Sequence, residues 1–162
     1  MNIIFEYTWK RISLVAEKSE CLLDSELSIY NRLYKNWNGN PYFLYNYASE
    51  LKNLELYQQS IDIFLLCELH INTYNLQMQL ADDYYQMGRW KEAEIRYKQA
   101  QNMCPNRFLP LHGLLRTYIK SNNKILAKQV ALDIVNKHIK IPSYTISIIQ
   151  EEAKSYLLNK GT

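Results

Sequence analysis

Residues 80–105 read LADDYYQMGRWKEAEIRYKQAQNMCP, and this stretch decides the fold. Small and bulky side chains alternate at helical spacing on either side of Gly88: Ala81, Tyr84, Ala93 and Tyr97. Glycine readily adopts the left-handed conformation that ends many helices, so Gly88 indicates a turn between two helices. The small residues let the two helices cross closely, and the tyrosines fill the space beside the crossing. The stretch therefore predicts a helix–turn–helix pair.

The same pattern recurs on both sides of this pair. At a shift of 33 residues Ala48 matches Ala81, and Glu55 takes the position of Gly88. At a shift of 34 residues Ala127 matches Ala93, and Asn122 takes the glycine position. Self-similarity at a fixed period is typical of stacked repeats. Three copies are predicted, at residues 41–73, 74–107 and 108–141.

This pattern resembles the tetratricopeptide repeat (TPR), a helix–turn–helix unit of about 34 residues. The resemblance implies an all-α, right-handed superhelical TPR-like α-solenoid of antiparallel helix pairs. The middle copy departs from the family pattern at Gln77, where a large residue is usual. In the first copy Asn72 stands in place of the proline that follows the second helix.

The flanks are predicted to be helical without matching the repeat. Residues 1–40 form a divergent N-terminal helix pair, whose first helix lies near residues 3–18 and whose second ends at Asn38-Gly39-Asn40-Pro41. Residues 142–159 form a C-terminal capping helix, which stacked repeats require at an exposed end. We expect about nine helices in a single α-solenoid domain over residues 1–162.

Composition supports a mostly helical chain and excludes several classes of protein. The 162 residues (19.3 kDa) include only 4 Gly and 4 Pro, too few for the tight turns of a β-sandwich. A net charge of +3 is too small to indicate nucleic-acid binding. The most apolar stretch, residues 61–71, is too short and too polar to span a bilayer. As the chain stands, we expect a cytoplasmic protein without membrane insertion.

Three strings extend the resemblance beyond the generic repeat: residues 43–51, 100–111 and 140–143. They resemble the C-terminal TPR region of O-antigen ligase and polymerase-like membrane proteins of Bacteroidetes, over about residues 20 to 158. That resemblance implies a soluble accessory part of a cell-envelope polysaccharide system, membrane-associated if it belongs to a larger envelope protein. The family's chemistry lies in its membrane part, so no catalytic residue is implied for this chain.

The sequence contains no recognisable catalytic or metal-binding motif. The cysteines, Cys21, Cys67 and Cys104, are widely spaced, and no histidine pair has the spacing of a zinc site. Cys67 and His70 share a helical face, but a packing cysteine beside a surface histidine explains them better than a nucleophile and its base. We therefore expect no enzymatic activity, no cofactor and no metal.

The remaining candidate is a binding groove on the concave side of the solenoid. Residues at groove-facing steps of the first helices are Tyr42, Tyr45 and Ser49, then Asn75, Met78, Asp82 and Tyr85, then Leu109, His112 and Arg116. The three tyrosines occupy steps that the interhelix core does not need. Asp82 and Asp83 point about 100° apart, so one is expected to face the groove and the other solvent. The sequence leaves open whether the groove is exposed or covered by the capping helix or a neighbouring molecule.

Two functions follow from these observations. The first is a non-enzymatic protein–protein interaction module that binds a peptide or protein segment in the concave groove. The alternative is the accessory role in envelope polysaccharide assembly. Residues 107–140 carry seven Lys or Arg against Asp133 alone, whereas an acidic run lies near residues 17–26. These opposite charges leave a head-to-tail self-association open, although surface composition explains them equally well. A solvated helix face is the commoner explanation of the basic segment itself.

Overall fold

A computed structural model describes residues 23–159, with side chains from Leu27 onward. These residues form eight α-helices and no β-strand, which confirms the all-helical prediction within that range. The helices are α1 (Leu23–Trp37), α2 (Pro41–Asn53), α3 (Tyr57–Glu68), α4 (Tyr74–Gln86), α5 (Trp90–Met103), α6 (Leu109–Lys120), α7 (Lys124–Asn136) and α8 (Tyr144–Asn159). The helix predicted near residues 3–18 lies outside the described residues. None of the eight helices has the length and apolar character needed to cross a bilayer.

The chain forms two compact units, with the division between His70 and Ile71. In the first unit α2 and α3 form a helix hairpin, and α1 packs on α2. In the second unit each helix from α4 to α7 packs on the next one along the chain, and α4 also contacts α6. The extent of a single domain over residues 1–162 stays a prediction.

The turn inside each helix pair has the same geometry in all three copies. One residue adopts a positive φ at each turn: Glu55 (59°), Gly88 (71°) and Asn122 (57°). The amide of the following residue then donates to a carbonyl five residues back, at 2.9 Å, 2.9 Å and 2.8 Å respectively. This pattern satisfies a carbonyl that the end of the helix would otherwise leave unpaired. This turn recurs at steps of 33 and 34 residues, the same steps at which the sequence pattern repeats.

In the first unit, small residues bring α2 and α3 into close contact. Ala48 and Ser60 are both fully buried, and the Ser60 hydroxyl donates to the Ala48 carbonyl at 2.9 Å. A side chain this short reaches the backbone of the neighbouring helix only where the two helices nearly touch. On the other side of α2, Tyr47 stacks on Tyr30 of α1 with ring centroids 5.3 Å apart.

In the second unit, two alanines and the buried Tyr97 allow close helix packing within a core that also contains leucines, isoleucines and other aromatic residues. Ala81 and Ala93 are fully buried, as their position in the repeat predicts. Tyr97 is also buried, and its ring lies directly against the backbone of Gly113 in α6. A β-carbon at Gly113 would collide with this ring, so only glycine permits the close approach of α6 to Tyr97.

Two polar residues of α4 are buried, and one of them corrects an expectation. Gln77, which departs from the TPR pattern, receives a hydrogen bond from Arg96 at 3.1 Å and donates to Asn72 at 2.8 Å. These bonds satisfy both ends of its amide. Asp83, expected on the solvent side if Asp82 faced the groove, is instead fully buried. The prediction that one of this pair faces solvent is wrong, because Asp82 is half-buried as well.

The capping helix is present as α8. It begins after Ser143, whose hydroxyl accepts a hydrogen bond from the Ile146 amide at 3.3 Å. Ile149 and Ala153 are buried on its inner side, and Gln150 donates to the Ile134 carbonyl of α7 at 3.3 Å. Its outer side exposes Tyr144 and other apolar side chains rather than a purely polar face.

Candidate functional site

The second unit contains a small cluster of aromatic and charged side chains that includes Asp82, Tyr85 and Arg116. Asp82 of α4 accepts a hydrogen bond of 2.5 Å from the hydroxyl of Tyr97 in α5. Burial, and then the neighbouring Asp82 carboxylate, raise the pKa of Tyr97 above its ordinary value. Tyr97 therefore stays a donor, and it holds the Asp82 carboxylate at the edge of the core.

Tyr85 provides the aromatic part of this cluster. Its ring meets Trp90 of α5 edge-on, with centroids 5.3 Å apart. The guanidinium carbon of Arg116 in α6 lies 4.7 Å from the centroid of the Tyr85 ring, which is cation–π geometry. We call Asp82, Tyr85, Trp90 and Arg116 the α4–α6 cluster. It places an acid, an aromatic ring and an exposed cation close together: Tyr97 holds Asp82, Trp90 packs on Tyr85, and Arg116 lies over the Tyr85 ring.

His112 lies one turn before Arg116 on α6 and contacts the capping helix. Its Nε2 lies 2.6 Å from a carboxylate oxygen of Glu152 in α8. The His112 side chain is mostly buried, whereas Glu152 is exposed. The capping helix therefore contacts His112, one of the predicted groove residues.

The other predicted groove residues of the second unit differ in exposure. Met78 is half-buried on α4, one turn before Asp82. Asn75 and Leu109 are exposed near the first turns of α4 and α6. Of the seven predicted residues in this unit, the structure thus joins Tyr85 and Arg116 by direct contact and sets Asp82 beside them through Tyr97.

The three predicted residues of the first unit all lie on α2. Tyr42 is 69% exposed at the start of this helix. Tyr45 is half-buried and meets Phe64 of α3 edge-on at 5.5 Å, and Ser49 donates to the Tyr45 carbonyl at 2.9 Å. Tyr45, like Tyr85, therefore contributes to interhelix packing. The expectation that these two rings lie outside it is wrong, and of the three tyrosines only Tyr42 is a largely exposed ring.

The cysteine and histidine singled out as a conceivable nucleophile pair have the structural roles that we favoured. The Cys67 thiol is buried and donates to the Pro41 carbonyl at 3.2 Å, while His70 is exposed. Burial raises the pKa of Cys67 to about 11, so the reactive thiolate is scarce near neutral pH. In the described part of the chain, no three His, Cys, Asp or Glu side chains are grouped to hold a metal ion.

In the basic segment, three cations make contacts with neighbouring groups, although Arg107 and Arg116 are exposed. Arg107 stacks on Tyr74 at 4.3 Å, and Lys137 donates to the Pro105 carbonyl at 2.5 Å. Arg116 belongs to the α4–α6 cluster. The exposed lysines are Lys120, Lys124, Lys128 and Lys140.

Sequence reasoning missed two residues: Trp90, a member of the α4–α6 cluster, and Glu152, the partner of His112. Trp90 follows the turn at Gly88 and packs on Tyr85, and Glu152 reaches His112 from α8. The alternation of large and small residues could have indicated Trp90 as a packing residue. No local pattern indicates Glu152, because its contact depends on how α8 lies against the preceding helices.

Comparisons with known proteins show the fold. No protein-family model and no curated protein matches the chain. Among solved structures, the chain is similar to MamA from Desulfovibrio magneticus RS-1, residues 41 to the end. The TM-score is 0.71 at 12% identity, over 95% of this chain and 91% of that one. An RS-1 MamA ArsTM double mutant is similar with a TM-score of 0.71 at 12% identity, over 94% and 90% of the two chains.

At this level of sequence identity, the matches show the fold of the chain but not its function. Neither shows the predicted resemblance to O-antigen ligase and polymerase-like proteins. Together with the recurring helix pairs and their left-handed turns, they show that this chain has a TPR-like fold.

Proposed function

We propose that this chain is a non-enzymatic protein–protein interaction module that binds a peptide or protein segment along the first helices of its repeats. The observation that carries the proposal is the stacking of the exposed Arg116 on the half-buried Tyr85 ring beside Asp82. Tyrosine and arginine are enriched where interfaces concentrate their binding energy. The similarity to another helical-repeat protein supports the same class of function, because stacked repeats present extended binding surfaces.

The packing of the cluster favours binding in a second way. Trp90 and Tyr97 already hold Tyr85 and Asp82 in place, so little side-chain entropy is lost when a ligand arrives. Asp82 and Arg116 carry opposite charges on neighbouring helices, which would orient a ligand more than they would strengthen its binding. In the first unit, Tyr42 on α2 exposes an aromatic ring that is a separate candidate contact.

The proposal is tested by partner capture from the native host, followed by titration of each purified partner. We expect Tyr85→Ala combined with Arg116→Ala to weaken partner affinity at least about tenfold, because aromatic and arginine anchors commonly contribute about 2 kcal/mol or more each. Tyr42→Ala, at an exposed position, tests the contribution of α2 without disturbing its core.

The matched control is Lys120→Ala, which removes an exposed cation from the same helix as Arg116. It should retain every partner. Circular dichroism of each variant separates loss of binding from loss of fold. If the Tyr85 and Arg116 variant keeps its helicity and all of its partners, the groove assignment is wrong.

The role in envelope polysaccharide assembly remains the alternative. It rests on the strings at residues 43–51, 100–111 and 140–143. Genes for glycosyltransferases or polysaccharide polymerases next to the gene for this chain would favour it. Capture of soluble partners with no such genomic context would favour the general interaction module.

A further inference from the structure

The second unit contains a cleft that is separate from the α4–α6 cluster. It has a volume of about 490 Å³ and lies between the beginning of α6 and the beginning of α8. The apolar lining of the cleft includes Phe108, Ile146 and Ile149. Of these, Phe108 and Ile149 are buried. At the surface, Leu109 and Ile141 remain exposed, with Ile141 at 78%. The size falls within the range of sites that bind small ligands or single peptide anchors.

The charges around this cleft have one sign. Arg107 and Lys140 line it, and no acidic side chain does so among its lining residues. Arg107 is held in place by its stacking on Tyr74 at 4.3 Å. A third cation, Lys137, lies 5.7 Å from the centroid of the Phe108 ring. An apolar floor with cations at its edge is complementary to a ligand that combines an apolar group with carboxylates.

The polar groups of the lining favour a peptide over a fatty acid. Asn106, Ser143 and Thr145 supply amide and hydroxyl groups at the cleft. A peptide backbone needs such partners when it leaves water, whereas an alkyl chain does not. The exposure of Leu109 and Ile141 also makes the cleft a surface groove from which a longer chain can continue in both directions.

We propose that this cleft binds an acidic linear peptide segment of a partner protein, with one large apolar side chain inserted against Phe108 and Ile149. Carboxylates beside that anchor contact Arg107 and Lys140. This inference goes beyond the function proposed above, because none of the α4–α6 cluster residues lines the cleft and Leu109 is the one predicted groove residue among its lining residues. The two sites therefore succeed or fail separately.

The test uses the full chain and fluorescein-labelled peptides of sequence Asp-Glu-X-Asp-Glu, where X is Leu, Phe or Trp. We expect saturable binding by fluorescence polarisation for at least one X, and none when X is Gly. Binding should weaken as NaCl rises from about 50 to about 300 mM, because the contacts are partly electrostatic. Peptides with Lys and Arg in place of the acids should not bind.

Two pairs of matched variants locate the binding. Arg107→Glu with Lys140→Glu should weaken binding at least about tenfold. Lys124→Glu with Lys128→Glu makes the same change of charge on α7 and should leave peptide binding unchanged. Ile141→Ser should weaken binding several-fold, whereas Ile125→Ser, at a residue 83% exposed on α7, should not. Melting curves confirm that each variant is folded.

Several outcomes would overturn the proposal. They are no saturable binding for any X, equal binding of the basic peptides, or equal effects of the cleft variants and their α7 controls. Binding of decanoate that depends on Arg107 and Lys140, without peptide binding, would assign the cleft to fatty acids instead. Concentration-dependent self-association that is lost in the Arg107 and Lys140 variant would assign it to a second copy of this chain. Loss of partner capture in the Tyr85 and Arg116 variant alone does not bear on the cleft.

Discussion

Glu55 is the residue whose backbone conformation fits its side chain least well. Its φ of 59° lies in the left-handed region, which the same turn fills with Gly88 in the second copy and with Asn122 in the third. An L-residue with a β-carbon loses roughly 1–2 kcal/mol there, and asparagine tolerates the region better than glutamate does. The repeat register therefore requires this conformation even where the local residue does not favour it.

We predict that Glu55→Gly raises the free energy of unfolding by about 0.5 to 1 kcal/mol, because relief of the left-handed strain exceeds the entropy that glycine adds to the unfolded chain. Thermal or urea unfolding measures the change. The reverse substitution, Gly88→Ala, should destabilise by a similar amount. A β-carbon at Gly88 comes no closer than 3.6 Å to the Trp90 ring, so its cost is conformational. An unchanged or lower stability of Glu55→Gly would contradict this account of the turn.

The contact between α5 and α6 depends on the absence of a side chain at Gly113. A β-carbon there would lie 2.5 Å from Cζ of the Tyr97 ring. Tyr97 is buried and tied to Asp82 through its hydroxyl, so the ring has little freedom to move aside. The same ring therefore determines how closely the helices pack and where Asp82 lies in the candidate site.

We predict that Gly113→Ala destabilises the protein by about 1–3 kcal/mol, the usual cost of overpacking a core, despite the better helix propensity of alanine. The matched control is Gly39→Ala, where an added β-carbon meets no atom within 4 Å. Urea unfolding of both variants makes the comparison. Equal stabilities of the two variants would show that α6 shifts away from Tyr97 without cost.

Across the chain, stability should depend on pH through carboxylates that bridge helices. Glu94 of α5 accepts hydrogen bonds from Tyr118 of α6 at 2.8 Å and from Lys98 at 2.6 Å. Burial opposes ionisation, but the hydrogen bonds from Lys98 and Tyr118 outweigh it and lower the pKa of Glu94. A carboxylate with a lowered pKa in the folded state stabilises the fold above its unfolded pKa. That contribution is lost as the pH falls through the folded value.

We predict that the free energy of unfolding falls from about pH 5 to about pH 3, and that Glu94→Gln makes this fall shallower. The variant should also be less stable than the natural chain at pH 7, because its amide replaces a charge-assisted acceptor. Urea unfolding at a series of pH values measures both effects. Glu151→Gln, at an exposed position on α8, serves as the control. Identical pH profiles for Glu94→Gln and the natural chain would rule out this bridge as a source of acid sensitivity.

Local sequence was sufficient to predict the helix pairs, their turns and their small crossing residues. Gly88, Ala81 and Ala93 act through backbone conformation and side-chain volume, and both are properties of the residue type and its spacing. The 33- and 34-residue steps located the other two turns even at Glu55 and Asn122, where the usual glycine is missing.

The partners of the polar and aromatic side chains depended on the packing of distant helices. Two observations differ from what the sequence pattern predicts: Asp83 is buried, and Tyr45 and Tyr85 make edge-on contacts with neighbouring helices. A third, the pairing of His112 with Glu152, goes beyond that pattern. Helical periodicity gives the direction in which a side chain points around the axis of its helix. It does not give the distance or angle of the neighbouring helix, which is set jointly by every side chain in the interface. For the same reason, the cleft between α6 and α8 has no signature in the order of residues along the chain.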